Sequence, residues 1–177
     1  MAKTYQVDPA HSSITFTVKH MMISKVKGEF KEFDIKANGE PSDLANASVK
    51  VTIQAASIDT NNTDRDNHLR SGDFFNVEEH PHLVFHSTSF RSKGDGEFEV
   101  TGDLTIRGTT REETFEVEYE GSAKDPWGNT KHAFSGEGSL NREDYGLTWN
   151  QALEAGGVLV DKKVKFEFEL QFTESEA

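Results

Sequence analysis

The chain contains no cysteine, which excludes disulfides and thiolate chemistry. No window approaches the ~20 apolar residues of a membrane-spanning helix, so stable membrane insertion is not expected. The opening "MAKTYQVDPAHSS" carries no apolar run of signal-peptide length. With Met1 retained, a cytoplasmic protein is the expectation; a periplasmic or secreted one would require a leader already removed. Basic charge is scarce: 19 Lys and Arg against 31 Asp and Glu give a net charge of −12. That balance argues against a nucleic-acid partner, whose phosphates need a basic face, and against electrostatic docking on an anionic membrane. Linkers, low-complexity blocks and composition shifts are also missing. A length of 177 residues then suits one domain over 1–177.

What the chain has instead is phenylalanine, 13 residues against three Tyr and two Trp, and alternation with period two. In "VKFEFELQF", Val164, Phe166, Phe168, Leu170 and Phe172 alternate with Lys165, Glu167, Glu169 and Gln171. The same pattern runs through Ile14, Phe16, Val18 and His20; through Val49, Val51 and Ile53; through Phe98, Val100, Leu104 and Ile106; and through Phe115, Val117 and Tyr119. Such segments are strands with one dry and one wet face. About nine occur, separated by the turn-formers "NGEPSD", "KGDGE", "DPWGN" and "EAGG". Antiparallel strands of this kind close into a barrel or stack as two sheets. Phe30 lies on one parity while Phe33 and Ile35 lie on the other. That slip predicts a β-bulge near Lys31–Glu32 and a coiled strand, as barrel corners require. The long stretch from His11 to Ala37, with Gly28 its one strong turn signal, also suits long, bent strands. The predicted fold is all-β, an antiparallel barrel of about eight strands. Its interior could be filled by the Phe side chains or hold an apolar ligand.

One segment breaks the pattern. "TNNTDRDNHLRSGDFFN", residues 60–76, gathers Asp64, Asp66, His68 and Asp73 among two arginines and two phenylalanines. As a calcium loop it fails: the position that needs Gly holds Asp64, and the position that needs Glu holds Arg70. A short helix over residues 63–71 is predicted instead, capped by Asn62 or Thr63, with acidic residues in its first turn. Asp64 and His68, four apart, would share a face. They could form an acid–base pair, or a carboxylate facing the helix dipole with His68 bonded to it.

Other histidines offer less. In "EEHPHLVFH", His82 and His86 lie about 13 Å apart on one strand face at ~3.3 Å per residue. They cannot share a metal at Zn–N distances near 2 Å, and with His80 they form an exposed cluster. No metal site is expected. His20 continues a dry face, as a core histidine or as a polar handle at one end of a pocket. No nucleophile elbow or phosphate-binding glycine loop is present.

Several motifs together resemble the YceI-like family of polyisoprenoid-binding, lipocalin-like proteins. They are "VDPAHSSITFTVKH", "GEF" with Phe33, "ASIDTNN", "RDNHLRSGDFF", "HPHLVFHS", "VTGDLTIRGTT", "NREDYGLTWN" and "DKKVKFEFEL", in order over essentially the whole chain. The resemblance implies an extended lipocalin-like barrel around a tunnel for a long-chain isoprenoid lipid, such as a quinone or polyprenyl phosphate. It implies no catalytic residues and no other cofactor. It is compatible with a homodimer, although no interface is readable. The apolar parities nominate a lining of Ile14, Phe16, Val18, Val51, Ile53, Phe85, Leu104, Ile106, Phe115, Val117, Phe134, Trp149, Phe166 and Phe168. Head-group candidates near the mouth are His20, Arg65, His68, Arg142 and Asn150. Residues 60–76 then become a lid at a barrel opening, anchored by Phe74 and Phe75. Two other classes compete. One is a small enzyme on an apolar substrate, with His20 or the Asp64–His68 pair as acid or base; the other is a β-sandwich interaction module with a solid Phe core.

Overall fold

The structure, a computed structural model, describes residues 3–21, 23–40, 43–150 and 159–176. The alternating segments form β1 (Lys3–Val7), β2 (Ser13–His20), β3 (Ser24–Phe30), β4 (Phe33–Glu40), β5 (Asp43–Gln54) and β6 (Ile58–Asp59). After the helix α1 (Thr63–Arg70) come β7 (His82–Gly94), β8 (Glu97–Ile106), β9 (Thr109–Lys124), β10 (Thr130–Asn141) and β11 (Val160–Glu176). All pairings are antiparallel neighbours around a ring. The seam is closed by β11, which pairs with β10 on one side and with β1 and β2 on the other. Among the described residues, the result is a closed eight-strand barrel with one short α-helix.

Eleven segments fill eight positions because the first three strands are each broken once. A 3-10 turn at Pro9–His11 separates β1 from β2, Lys31–Glu32 separates β3 from β4, and a 3-10 turn at Ala55–Ser57 separates β5 from β6. The second and third breaks are stitched together: Lys31 N–H donates to Ser57 O at 3.2 Å and Gln54 N–H to Glu32 O at 2.9 Å. A sheet that curls tightly needs such corners. The parity slip at Lys31–Glu32 is therefore real, and Phe30 and Ile35 both face the interior despite their opposite parity.

Two expectations about chain reversal need correction. The long, bent strands expected from His11 to Ala37 are the shorter β2 and β3 and the start of β4, and the chain reverses between His20 and Ser24 in the β2–β3 hairpin. None of the usual turn residues occurs there. Gly28 is not a turn at all: it lies inside β3, directly opposite Phe16. The turn expected over "EAGG" (residues 154–157) and the Pro41–Ser42 part of "NGEPSD" lie outside the described residues.

Strand parity sorts the side chains as the period of two requires. On β11, Val164, Phe166, Phe168, Leu170 and Phe172 face inward while Lys165, Glu167 and Glu169 are exposed. Negative charge collects on the outer wall. Glu99, Glu116, Glu137 and Glu167 stand in register across β8, β9, β10 and β11. Like charges directly opposite each other oppose pairing. Lys93 offsets part of this, with its Nζ 2.7 Å from a Glu116 carboxylate oxygen.

Candidate functional site

The barrel encloses a cavity of about 690 Å³. Its wall answers the question of the surplus phenylalanines: every Phe of the chain except Phe33 and Phe98 lines it. The rings meet in groups along the wall. Phe115 stacks edge-on against Phe166 at 5.1 Å between centroids and lies 4.8 Å from Phe85; Phe134 meets Phe172 edge-on at 5.8 Å. Several rings lie against a glycine of the next strand. Phe16 faces Gly28, Phe166 faces Gly138 and Phe168 faces Gly136, each in register. A Cβ at any of these glycines would collide with the ring. The missing side chains let the rings lie flat along the wall instead of projecting into the lumen.

All fourteen residues nominated for the lining face this cavity. The polar candidates divide. His20 and Arg65 line it near α1, together with Lys19, Asn62 and Asp64. Of these, Lys19, Asn62 and Asp64 are also exposed, which places a mouth between the β2–β3 hairpin and the first turn of α1. Asn150 is not part of the wall. Its side chain clasps the start of β11, donating to Val160 O at 2.7 Å and accepting from Val160 N–H at 3.0 Å.

Helix α1 is short, and its neighbours hold it in place. Asn62 caps it, its side-chain oxygen accepting from Arg65 N–H at 3.0 Å. Buried Asp66 accepts from Thr60 N–H at 2.8 Å and from the Thr60 hydroxyl at 2.5 Å. Arg65 returns to Thr60 through Nε and Nη2, and Arg70 reaches the carbonyls of Ala56 and Ile58. The charged residues of residues 60–76 thus largely fasten the helix to β6 and the turn before it. Phe74 and Phe75 anchor it from the cavity side. The predicted Asp64–His68 pair does not form. His68 instead pairs with Asp73 at 2.9 Å, and its ring sits edge-on to Trp149 at 4.6 Å and Phe74 at 5.0 Å. Asp73 lies beyond the helix end, in the turn that brings Phe74 inward, so helical spacing could not reveal it.

Arg142, a head-group candidate, lines the cavity but is only 4% exposed. Its guanidinium donates to four backbone carbonyls: Leu147 at 2.6 Å, Asp161 at 2.8 Å, Trp149 at 3.0 Å and Val160 at 3.2 Å. It also lies 5.9 Å from the Phe74 ring centroid. Burial lowers its pKa from the ordinary arginine range, and the charges of Glu143 and Asp161 oppose that shift. Nearby Tyr145 is fully buried and donates its hydroxyl proton to Glu113 at 2.7 Å. Desolvation, joined by that bond, raises the Tyr145 pKa well above its ordinary value.

Sequence reasoning missed the opposite end of the cavity. There buried His132 bridges the Tyr119 hydroxyl at 2.8 Å and a Glu174 carboxylate oxygen at 3.1 Å, with Tyr5 edge-on at 5.4 Å. The signal was available: His132 shares the inward parity of Phe134 on β10. Among the described residues, no three His, Asp or Glu are grouped to hold a metal ion, and no helix is long and apolar enough to cross a membrane.

The fold and the cavity define a lipocalin-like barrel built around an apolar chamber. The YceI-like domain family matches residues 5–172, and the chain belongs to that family. A UPF0312 protein of Staphylococcus epidermidis is 47% identical over 170 residues, covering 96% of each chain. Among solved structures, BcnA of Burkholderia cenocepacia superposes with a TM-score of 0.82 at 24% identity, covering 93% of this chain and 98% of that one. A polyisoprenoid-binding domain of Saccharophagus degradans, implicated in plant cell wall breakdown, matches with a TM-score of 0.69 at 13% identity, covering 97% and 98%. At these identities the two structures speak to the fold alone.

Proposed function

We propose that this protein is a non-catalytic carrier or store of a long-chain isoprenoid or a similar lipid, such as a quinone or polyprenyl phosphate. The observation that carries this reading is the apolar cavity of about 690 Å³ walled by nearly all the chain's phenylalanines. Each methylene moved from water into such a lumen gains roughly 0.8 kcal/mol, against the cost of ordering a flexible chain. The polar residues near α1, namely Lys19, His20 and Arg65, suit an anionic or hydrogen-bonding head group at the mouth. The polyisoprenoid-binding domain of Saccharophagus degradans shares the fold, so a barrel of this kind can hold a ligand of that class.

Native mass spectrometry and organic extraction of the purified protein test this directly. A bound long-chain lipid, or uptake of an added polyprenyl phosphate or quinone at close to one per chain, is expected. A folded protein that takes up none at high ligand concentration sinks the proposal. Catalysis by His68 is disfavoured by its setting, held against Asp73 and wedged by Trp149 and Phe74. His68→Ala should therefore retain lipid uptake within about threefold, a change of less than 1 kcal/mol.

A further inference from the structure

The β2–β3 turn is built against the ordinary rules for hairpins. Its residues, His20-Met21-Met22-Ile23-Ser24, include none of the Asn, Gly, Asp or Pro that tight turns favour. Met21 adopts φ 56°, a region where residues other than glycine are uncommon. Ile23 is 87% exposed and Met21 46% exposed. Apolar side chains are thus held in water on a strained turn, where they add nothing to the core.

Charge supplies a second, separate observation. Exposed Lys19 and Lys25 stand directly opposite each other on the hairpin, an arrangement that opposes pairing. Lys27 and Lys165 flank Thr17 on the next row. Lys162 and Lys163 occupy the start of β11, whose Val160 is paired with His20. All six lysines are exposed. None forms a salt bridge among the described residues. Along these strands they share the surface with Asp161, Glu29 and Glu167, the last two flanking Thr15. Against a chain of net charge −12, the hairpin and the start of β11 thus gather six lysines. A surface meeting the tip at close range responds to the local charge, since fields are screened within ~10 Å at 0.1 M salt.

Position is the third. Lys19, His20 and Val26 of the same hairpin line the cavity, so the apolar tip and its lysines border the mouth. Exposed apolar residues rimmed by lysines fit the interface of an anionic bilayer, where apolar side chains enter the head-group region and lysines meet phosphates.

We propose that the β2–β3 tip docks this protein on an anionic phospholipid bilayer, with Met21 and Ile23 in the interface and the mouth facing the membrane. The purpose of docking, lipid loading or delivery, rests on the carrier reading above; docking itself is measured without it. Vesicle flotation compares phosphatidylcholine vesicles with vesicles of phosphatidylcholine and phosphatidylglycerol. Binding is expected to the anionic vesicles only, and to fall at least about tenfold between 0.1 and 1 M salt, as the screening length shrinks from ~10 to ~3 Å. The Lys19→Glu/Lys25→Glu pair should weaken it at least about tenfold, given the attraction lost per lysine. Ile23→Asp should weaken it as well. Trp127→Ser should leave it unchanged, because Trp127, although 83% exposed, lies in the β9–β10 turn at the opposite end of the barrel. The substitutions are on exposed positions, and unchanged melting curves confirm that each variant folds. Equal binding to both vesicle types, no binding by the unaltered protein, or full binding by the lysine variant overturns the proposal. So does a tip that serves self-association, seen as Ile23→Asp converting an oligomer to a monomer without vesicles. Lipid uptake without vesicle binding sinks docking alone, and vesicle binding without uptake sinks the carrier reading alone.

Discussion

At the α1 end of the barrel, Arg142 is buried and donates hydrogen bonds to the backbone carbonyls of Leu147, Trp149, Val160 and Asp161. At the far end, His132 is buried between a tyrosine hydroxyl and a glutamate. Both devices place a polar group in the wall of an apolar cavity and satisfy it locally, as burial requires. They differ in what they hold. Arg142 ties the irregular segment at Leu147 and Trp149 to the first residues of β11, Val160 and Asp161, whereas His132 ties together side chains on strands already paired. The less regular end thus relies more heavily on one residue, and it is also the end where exposed Lys19, Asn62 and Asp64 line the cavity.

The largest expected effect tests that dependence. Arg142→Met removes the donor from four carbonyls while roughly keeping the volume, and should destabilise the protein by about 3–5 kcal/mol. At ~2–4 °C per kcal/mol for a chain of this size, thermal melting should fall by roughly 10 °C. His132→Leu should cost less, about 1–3 kcal/mol for losing a buried hydrogen-bonding group. If urea denaturation shows it costing as much as Arg142→Met, the contrast between the ends is wrong. Asn62→Ala should cost ~1 kcal/mol as a lost helix cap, with hydrogen exchange rising in α1 and unchanged near His132. The smallest effect at neutral pH belongs to Tyr145, but it sharpens with pH. Its folded pKa is raised, so the proton is held by the folded state after the unfolded chain has released it. Stability should be intact below about pH 10, the unfolded tyrosine value, and decline as pH rises above it. Denaturant titrations of Tyr145→Phe should show a shallower decline in that window.

Much of the fold was legible because a closed sheet with a dry interior forces period two, and that period also named the lining. Even the corner at Lys31–Glu32 showed as a parity slip. The β2–β3 hairpin did not show, because Met21 and Ile23 stand where turn residues normally would. The Asp73–His68 pair was hidden because it joins a helix to the irregular turn after it, which no periodicity describes. The backbone-holding roles of Arg142 and Asn150 did not show either, because polar residues beside an apolar strand suggest a mouth. Only the folded positions of Leu147, Trp149, Val160 and Asp161 show which backbone atoms they meet.

The glycines beneath Phe16, Phe166 and Phe168 give the barrel an adjustable calibre. A methyl added at Gly28, Gly136 or Gly138 would push its ring inward from outside the lumen. Over evolutionary time, the thickness of chain this protein accepts can be retuned by residues that never touch the cargo, with every lining side chain left as it is.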